Sequence, residues 1–324
     1  MFEEFTHFFA EVVDLDGALP SQVVVSPAAT FGVRPLSVDI QQPTESLGVV
    51  HGLLEQYLTG AELALPRLPD VAVRVVRSGT KNSGSAHLLA EIIQSDAALA
   101  EYVLRIASSA AKRPALPITS LQHAIAWLGL DDVANIAFTL ALQGKILHVE
   151  GQHRKARRLW RHSLASALWA RQLAHTLGRE TGLCYLSGLL HDIGKAITLG
   201  AVHDVAQRAG LALAGSEYDA LIDIFQRDVG TRVILAWALP PPVPAVVARW
   251  DSYALAGAVR WESNVVNVAH KLADFTLHEP GMLTRELLVM DQGYRDLGLA
   301  AQDAELLFDS SVAINGELDR YLSP

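Results

Sequence analysis

The chain has a single cysteine, Cys184, among 324 residues. An intramolecular disulfide needs two thiols and cannot form, and a zinc site built from several thiolates is excluded. Such sparse cysteine usage is typical of a reducing compartment, so we expect a cytoplasmic protein. Cys184 lies among Leu183, Tyr185 and Leu186, a setting that predicts a small buried side chain and not a nucleophile.

Long uninterrupted apolar runs are also missing. The most apolar run without charge, Val233 to Ala248, contains four prolines and is shorter than the roughly 20 residues that cross a bilayer as a helix. Residues 1–10 carry four phenylalanines among acidic residues but no basic flank, unlike a secretory signal peptide. We therefore expect neither a membrane association nor secretion.

Positive charge is scarce, with 26 Lys and Arg against 35 Asp and Glu and a formal net charge of −9. General attraction to nucleic acid or to an anionic membrane is therefore not expected. In one basic cluster, five of the eight residues from Arg154 to Arg161 are Lys or Arg, beside Trp160. The cluster fits a solvated helix surface, with a phosphate-bearing ligand or RNA as the alternative. No glycine-rich phosphate loop is present, so an ATPase has no support.

Half of the residues are hydrophobic, enough for a large buried core. In residues 1–60, prolines and short β-branched runs predict short strands or irregular arms before a helix near Thr44 to Leu58. From Leu65 onward, apolar residues recur at three- and four-residue spacing without intervening β-branched strands, which predicts an all-α multi-helix bundle.

The predicted helices of this bundle follow the apolar spacing. They are Val71–Arg77, Ala86–Ser95, Ala97–Ala107, Ser120–Leu128, Asp131–Leu147, Arg154–Leu177, Leu183–Thr198, Tyr218–Ala238, Val243–Trp250 and Val265–Leu277, with a weaker group over Leu283–Leu322. Ser95 or Asp96 is expected to cap the helix that begins at Ala97, and Asp131 the helix that follows Gly129.

An imidazole and a carboxylate, His191 and Asp192, stand side by side within a run that is otherwise apolar and predicted to be helical. Burying both costs several kcal/mol unless a cation or hydrogen-bond partners compensate them. Imidazole nitrogen and carboxylate oxygen suit divalent first-row metals, and neighbouring helical residues point about 100° apart, so both can approach one ion. Ser187 and Gly188, one turn earlier, would allow another helix to come close.

Two further candidate ligands lie on separate predicted helices. His162 lies on an apolar seam that includes Leu159 and Trp169; taken alone, it also fits a hydrogen-bonded core histidine. Asp274 lies on a helix that is apolar nearly all round and shares a face with His270. It could instead pair with His270 or Lys271. The remaining histidines show no shared ligand spacing; they include His87, His123, His148, His153, His175 and His203.

The order of these residues resembles the HD superfamily of metal-dependent phosphohydrolases. The motifs are Trp160-Arg161-His162-Ser163, Gly188-Leu189-Leu190-His191-Asp192-Ile193-Gly194-Lys195 and then Asp274. Four further segments make the chain similar to the HD-related output domain, HDOD. They are Leu65-Pro66-Arg67-Leu68-Pro69, Ile92-Ile93-Gln94-Ser95-Asp96-Ala97-Ala98-Leu99, Ser120 to Ile125 with Leu128-Gly129-Leu130, and Trp237-Ala238-Leu239-Pro240.

The resemblance covers about residues 61–280 and implies an all-α, HD-domain-like bacterial signalling module. It divides the chain into an extension of unassigned role (1–60), an N-terminal helical half (61–150), an HD-like half (151–280) and a C-terminal helical tail that packs on the core (281–324). It implies one divalent ion, iron, manganese, zinc or magnesium, held by four ligands, with a metal-free centre as the alternative. The ligands are His162, His191, Asp192 and Asp274.

The chain departs from the related catalytic HD-GYP proteins, which cleave cyclic di-GMP with a second metal held by further histidines. Gln226 stands where a histidine often precedes the glycine at Gly230, and Trp250-Asp251 replaces a His-His pair. Gly293-Tyr294 continues to arginine and not to proline. Ser108 replaces an asparagine common in HDOD sequences, which leaves a polar network there in doubt. Without a second ion to stabilise the leaving oxygen, dinuclear hydrolysis is not expected.

Two functions therefore remain. The first, which we favour, is a non-catalytic signalling module that acts through signalling proteins or a nucleotide second messenger. The alternative is a mononuclear metal-dependent phosphohydrolase or phosphodiesterase that acts on a nucleotide or cyclic (di)nucleotide, with Lys195 steadying phosphate charge. A salt bridge or a solvent-facing position explains Lys195 equally well. The sequence leaves the input signal and the oligomeric state open.

Overall fold

The computed structural model describes residues 45–59, 68–79, 86–108, 118–146, 149, 151–277 and 283–322. Within these ranges the regular elements are all helices and no strand occurs, so the predicted all-α class is confirmed. The helix expected near Thr44 to Leu58 is present, whereas the strands or arms predicted before it lie outside the described residues.

The helices are numbered in chain order. The first six are α1 (Glu45–Thr59), α2 (Asp70–Gly79), α3 (Ala86–Gln94), α4 (Ala97–Ser108), α5 (Leu121–Leu128) and α6 (Leu130–Ile146). Next come α7 (His153–Thr176), α8 (Gly182–Leu190), α9 (Ile193–Arg208), α10 (Gly215–Ala236), α11 (Pro242–Arg249), two short 3-10 helices (Trp250–Leu255 and Gly257–Val259) and α12 (Arg260–Thr276). The last are α13 (Arg285–Met290), α14 (Gln292–Asp296) and α15 (Ala301–Leu322).

Local capping explains several of these boundaries. The Asp96 carboxylate accepts a hydrogen bond from the Leu99 amide at 3.1 Å and so caps α4, as predicted. The cap predicted at Asp131 is wrong, because α6 already begins at Leu130 and Asp131 lies in its first turn. The chain turns sharply at Gly129, whose φ of 95° is a backbone conformation that glycine adopts readily.

Helices α5 and α6 meet at an angle of 119° across this glycine. None of the described helices is by itself long and apolar enough to cross a membrane. The bent pair Leu121–Leu128 and Leu130–Gln143 passes that test on length and composition only.

The half of the fold that carries the candidate site is built from α7 to α12. Helix α7 packs against both α8 and α12, and α9 packs along α10. Trp160 and Trp169 of α7 and Tyr185 of α8 are among the largest fully buried side chains. The Trp169 indole donates to the Thr276 hydroxyl of α12 at 2.8 Å, so these helices are joined by a buried hydrogen bond as well as by apolar contact.

Two glycines allow the helices to approach closely. A Cβ on Gly188 would lie 3.0 Å from Ala167 Cα and from Ala170 Cβ of α7, so the close approach expected at this glycine is confirmed. A Cβ on Gly194 would lie 2.7 Å from the Gln226 carbonyl carbon and closer still to its oxygen. Only glycine therefore fits where α9 crosses α10.

Helix α1 and the C-terminal helix α15 are both attached to this half. The Arg232 guanidinium of α10 donates to the Leu58 carbonyl of α1 at 2.5 Å. On α15, the Glu317 carboxylate accepts two hydrogen bonds from Arg171 of α7, at 2.7 and 2.8 Å. Nearby, Tyr185 and the Thr139 hydroxyl of α6 are 2.8 Å apart, and burial raises the pKa of Tyr185 to about 12.

The Arg171–Glu317 pair is expected to contribute strongly to stability. Both side chains are 22% exposed, so Glu317→Ala leaves a largely buried guanidinium without its carboxylate and should cost about 2 kcal/mol. Glu305 is the matched control on the same helix, since its pair with Arg285 joins side chains that are 68% and 49% exposed. Glu305→Ala should cost less than about 1 kcal/mol in urea denaturation followed by circular dichroism. Equal losses in the two variants would contradict the expectation.

Candidate metal centre

The residues of the predicted His-Asp pair lie at a break between two helices and not inside one. Helix α8 ends at Leu190 and α9 begins at Ile193, so the single predicted helix Leu183–Thr198 is wrong. The backbone of Asp192 (φ −108°, ψ 14°) leaves the helical region. The break brings His191 Nε2 within 3.4 Å of Asp192 Oδ2, whereas neighbouring residues of a continuous helix diverge by about 100°.

Four side chains from three parts of the fold supply atoms that could bind one ion. His162 comes from α7, His191 and Asp192 from the α8–α9 break, and His270 from α12; one ligand atom from each lies within 4.8 Å of the other three. Nitrogen and oxygen ligands bind first-row metals at about 2.0–2.2 Å, so opposite ligands lie no more than about 4.4 Å apart. Movements of a few tenths of an ångström, roughly, would complete such a site.

A backbone carbonyl fixes the orientation of His191. Its Nδ1 lies 2.7 Å from the Gly188 carbonyl oxygen, and since that oxygen can only accept, Nδ1 carries the hydrogen. In the neutral ring, Nε2 then carries a lone pair directed at the cluster, where it accepts a hydrogen bond from His270 Nδ1 at 3.1 Å. Metal-bound histidines are commonly held in this way through the other ring nitrogen.

The electrostatics of the cluster keep two of its members, Asp192 and His270, in the forms that bind metal. Burial opposes the ionised form of Asp192, but the charges of His191 and Lys195 outweigh it and hold the pKa of this carboxyl well below its usual range. Burial and the nearby charge of His191 lower the pKa of His270 to about 3. At neutral pH, Asp192 is therefore a carboxylate and His270 a neutral imidazole.

One polar atom of His162 is buried and has no hydrogen-bond partner among the described residues. Its Nε2 lies 3.0 Å from Asp274 Oδ1, and donation to that carboxylate leaves Nδ1 with a lone pair. Nδ1 is buried, makes no hydrogen bond and lies 3.7 Å from Asp192 Oδ2. A buried acceptor of this kind carries a free-energy cost that a bound cation would remove. The donor set therefore fits a divalent ion.

The structure brings three of the four predicted ligands together and sets the fourth at their edge. Asp274 is 37% exposed and reaches the cluster through His162 and, at 3.8 Å, His270. The fourth cluster member is His270, which the sequence showed only as the neighbour of Asp274 one turn earlier. Pairing of Asp274 with Lys271 is wrong, since Lys271 binds Asp291 at 2.6 Å.

The centre is closed on one side and open on the other. The Trp250 ring lies against His191 and His270, with ring centroids 4.8 and 4.6 Å apart, and Asp251 forms an ion pair with Arg227 of α10. Lys195, which donates to Asp192 at 2.6 Å, is 22% exposed, and Asp274 is 37% exposed. The open side of the centre is therefore the side that carries Lys195 and Asp274.

Other reactive side chains lie apart from the centre. His203 is buried between the Tyr218 hydroxyl at 3.3 Å and Gln207 at 3.2 Å. Cys184 is fully buried, and this burial raises its pKa, so the prediction that it is a small buried side chain is confirmed.

The chain matches the sequence model of the HDOD domain over residues 65–253. No curated protein matches the chain. A Geobacter sulfurreducens HDOD domain protein of unknown function is 22% identical, with a TM-score of 0.64 over 85% of this chain and 98% of that protein.

Two other solved structures share the fold. A Shewanella amazonensis SB2B protein, provisionally described as a metal-dependent phosphohydrolase, is 23% identical, with a TM-score of 0.64 over 84% of this chain and 99% of its own. A Marinobacter aquaeolei VT8 protein, provisionally described as a signal transduction protein, is 21% identical, with a TM-score of 0.61 over 86% of this chain and 66% of its own.

Proposed function

The chain belongs to the HDOD domain family, and from that premise we propose that it is a non-catalytic signalling module whose His-Asp centre holds one divalent ion. The carrying observation is Trp250, whose ring covers the side of the centre formed by His191 and His270. An indole ring offers no ligand atom to an ion, so a second metal for two-metal phosphodiester hydrolysis has no binding position on the side that Trp250 covers.

In this proposal the ion is held by His162, His191 and Asp192, with His270 or Asp274 as the fourth ligand. Histidine nitrogens outnumber carboxylate oxygens if His270 binds, and that set suits iron, manganese or zinc better than magnesium. With Asp274 as the fourth ligand, the ion would have two histidine nitrogens and two carboxylate oxygens. The hydrogen bond from His162 to Asp274 at 3.0 Å also gives this carboxylate an orienting role.

The signalling role rests on a physical path from the centre to the surface. Trp250 touches two of the proposed ligand side chains and is the first residue of the 3-10 helix that ends at Leu255. Leu255 is 75% exposed, so a movement of the Trp250 ring can change a surface that a signalling protein contacts. A nucleotide second messenger is the other input that we propose, through the open side beside Lys195.

The second candidate function is a mononuclear phosphohydrolase, favoured by Lys195 at the open side. A bound divalent ion would supply a water of lowered pKa and polarise a phosphate oxygen. Lys195 is within reach of solvent and could steady phosphate charge, although it already donates to Asp192 at 2.6 Å.

A turnover screen separates the two functions. Metal-loaded protein should hydrolyse none of a panel of cyclic dinucleotides, cyclic mononucleotides and nucleoside phosphates in the presence of each divalent metal, as measured by chromatography of the products. Asp192→Asn is the matched variant, because it removes the carboxylate charge and preserves the shape. A substrate whose turnover disappears in folded Asp192→Asn would establish the phosphohydrolase instead.

A further inference from the structure

The carboxylate of Asp192 does not cap the helix that it precedes. Asp192 is the N-cap of α9 and makes no side-chain capping bond, whereas an aspartate at this position commonly accepts a hydrogen bond from an amide of the first turn. One of its oxygens, Oδ2, accepts instead from the Lys195 ammonium at 2.6 Å. The Asp192 side chain is 3% exposed, so this ion pair is part of the buried centre.

Lys195 is placed unfavourably in its own helix. It lies in the first turn of α9, where the free amides and the helix dipole disfavour a cation. The residues of that turn, Ile193 to Ala196, include no acidic one. The Asp192 carboxylate, just before the turn, supplies the compensating charge. The position of the Lys195 ammonium is therefore set by Asp192 and not by the helix.

The oxygen that holds Lys195 also faces two of the proposed metal ligands. Oδ2 of Asp192 lies 3.4 Å from His191 Nε2 and 3.7 Å from His162 Nδ1. An ion bound by these two nitrogens at about 2.0–2.2 Å would therefore lie beside Oδ2. If the ion also bound Oδ2, it would be within about 5 Å of the ammonium, and two cations at that distance repel each other strongly in a buried site.

We propose that Lys195 is a built-in competitor of the divalent ion. The Lys195 ammonium and the ion bind Asp192 Oδ2 alternately, so Lys195 leaves this oxygen when the ion binds. The inference rests on the proposed function, since it takes the His-Asp centre to be a divalent-ion site. It adds that the centre contains a cation of its own, which lowers the affinity for the ion and changes position when the ion binds.

The open side of the centre can receive the displaced ammonium. Lys195 is 22% exposed, and its stem of four methylene groups is flexible. Asp223 of α10 is exposed and lies within electrostatic range of Lys195. Partial desolvation raises the pKa of the Asp223 carboxyl, and the charge of Lys195 opposes this rise more than any other group does. Binding of the ion would thus move a positive charge from the buried centre towards the surface beside α10.

The alternative is that Asp192 uses its two oxygens separately. It would then bind the ion through Oδ1 and keep Lys195 on Oδ2. The two arrangements differ in one observable property, which is the accessibility of the Lys195 amine when the ion is bound.

Acetylation of the lysine amines in the full chain distinguishes the two arrangements. The natural protein is treated with N-hydroxysuccinimide acetate in the presence of chelator or of excess zinc, and peptide mass spectrometry measures the rate at each lysine. We expect zinc to raise the rate at Lys195 by about tenfold, which corresponds to the loss of one hydrogen bond between charged groups. Lys155 is the internal control, because it is 24% exposed and pairs with Asp219, outside the centre. Its rate should not change.

Zinc titration of two variants measures the competition itself. Lys195→Met removes the ammonium and approximately preserves the length of the side chain, so it should bind zinc about tenfold more tightly than the natural protein. Lys155→Met removes a lysine of similar exposure from an ion pair outside the centre, and it should bind zinc with the natural affinity. Isothermal titration calorimetry measures the three dissociation constants.

The outcomes separate this inference from the proposed function. If the natural chain binds zinc but acetylation of Lys195 does not change, or if Lys195→Met binds zinc no more tightly than Lys155→Met, the inference is overturned and the divalent-ion centre stands. If neither the natural chain nor Lys195→Met binds zinc, the centre fails and the inference fails with it. Zinc binding by Lys195→Met alone would support the inference, since the lysine then excludes the ion. The acetylation result needs no variant, so it decides the question even if Lys195→Met does not fold.

Discussion

Protein purified without chelator or nickel affinity resin is expected to contain about one equivalent of iron, manganese or zinc, and His191→Ala almost none. The expectation follows from the position of His191, whose side chain is fully buried and whose Nδ1 is held by the Gly188 carbonyl at 2.7 Å. Alanine removes one ligand and leaves Asp192 buried with less compensating charge. Elemental mass spectrometry of the two proteins measures the difference directly.

His203→Ala is the matched control for this experiment. His203 is also a buried histidine with two hydrogen bonds, but its partners are Tyr218 and Gln207, outside the centre. This variant should therefore retain the full metal content. If the natural protein holds no metal and takes up none on addition of ions, while His191→Ala stays folded, the cluster is a hydrogen-bonded core.

The same measurement identifies the fourth ligand. His270→Ala and Asp274→Asn remove the two candidates separately. If His270 binds the ion, His270→Ala should lose it, whereas Asp274→Asn should weaken binding by roughly 10- to 100-fold, as loss of an orienting partner does. The reverse pattern would make Asp274 the ligand, as the sequence predicted.

Much of the fold could be predicted from the sequence because apolar spacing reports which helix faces are buried. The exceptions have local causes that apolar spacing does not record. The apolar run from Leu183 to Thr198 continues through His191 and Asp192, so the break between α8 and α9 was not visible in it. The end of α5 and the start of α6 depend on the positive φ of Gly129, and the cap predicted at Asp131 was misplaced by this tight turn.

The candidate site shows the same division. His162, His191 and Asp192 could be predicted because titratable side chains among apolar ones need compensation. His270 was visible only as a neighbour of Asp274, since one turn of helix allows either residue to face inward. The position of Trp250 could not be predicted, because it depends on how the 3-10 helix packs on α12. Its contact with His191 and His270 covers one side of the centre, which the sequence did not indicate.

The largest effect on stability is expected from Gly194→Ala, which should lower the free energy of unfolding by about 4 kcal/mol or more. The new Cβ would lie 2.7 Å from the Gln226 carbonyl carbon and 2.9 Å from the Gly230 amide nitrogen. These are backbone atoms of α10, so no side-chain rotation relieves the overlap and the two helices must separate. Urea denaturation followed by circular dichroism measures the loss.

Gly200→Ala is the control within the same helix. A Cβ on Gly200 meets nothing within 4 Å, so alanine should be neutral or stabilise the protein by up to about 1 kcal/mol through its helix propensity. Gly194 also lies between Asp192 and Lys195, and separation of α9 from α10 would displace both from the centre. Any folded Gly194→Ala should therefore hold less metal than Gly200→Ala. If the two variants are equally stable, α9 and α10 do not approach as closely as the structure requires.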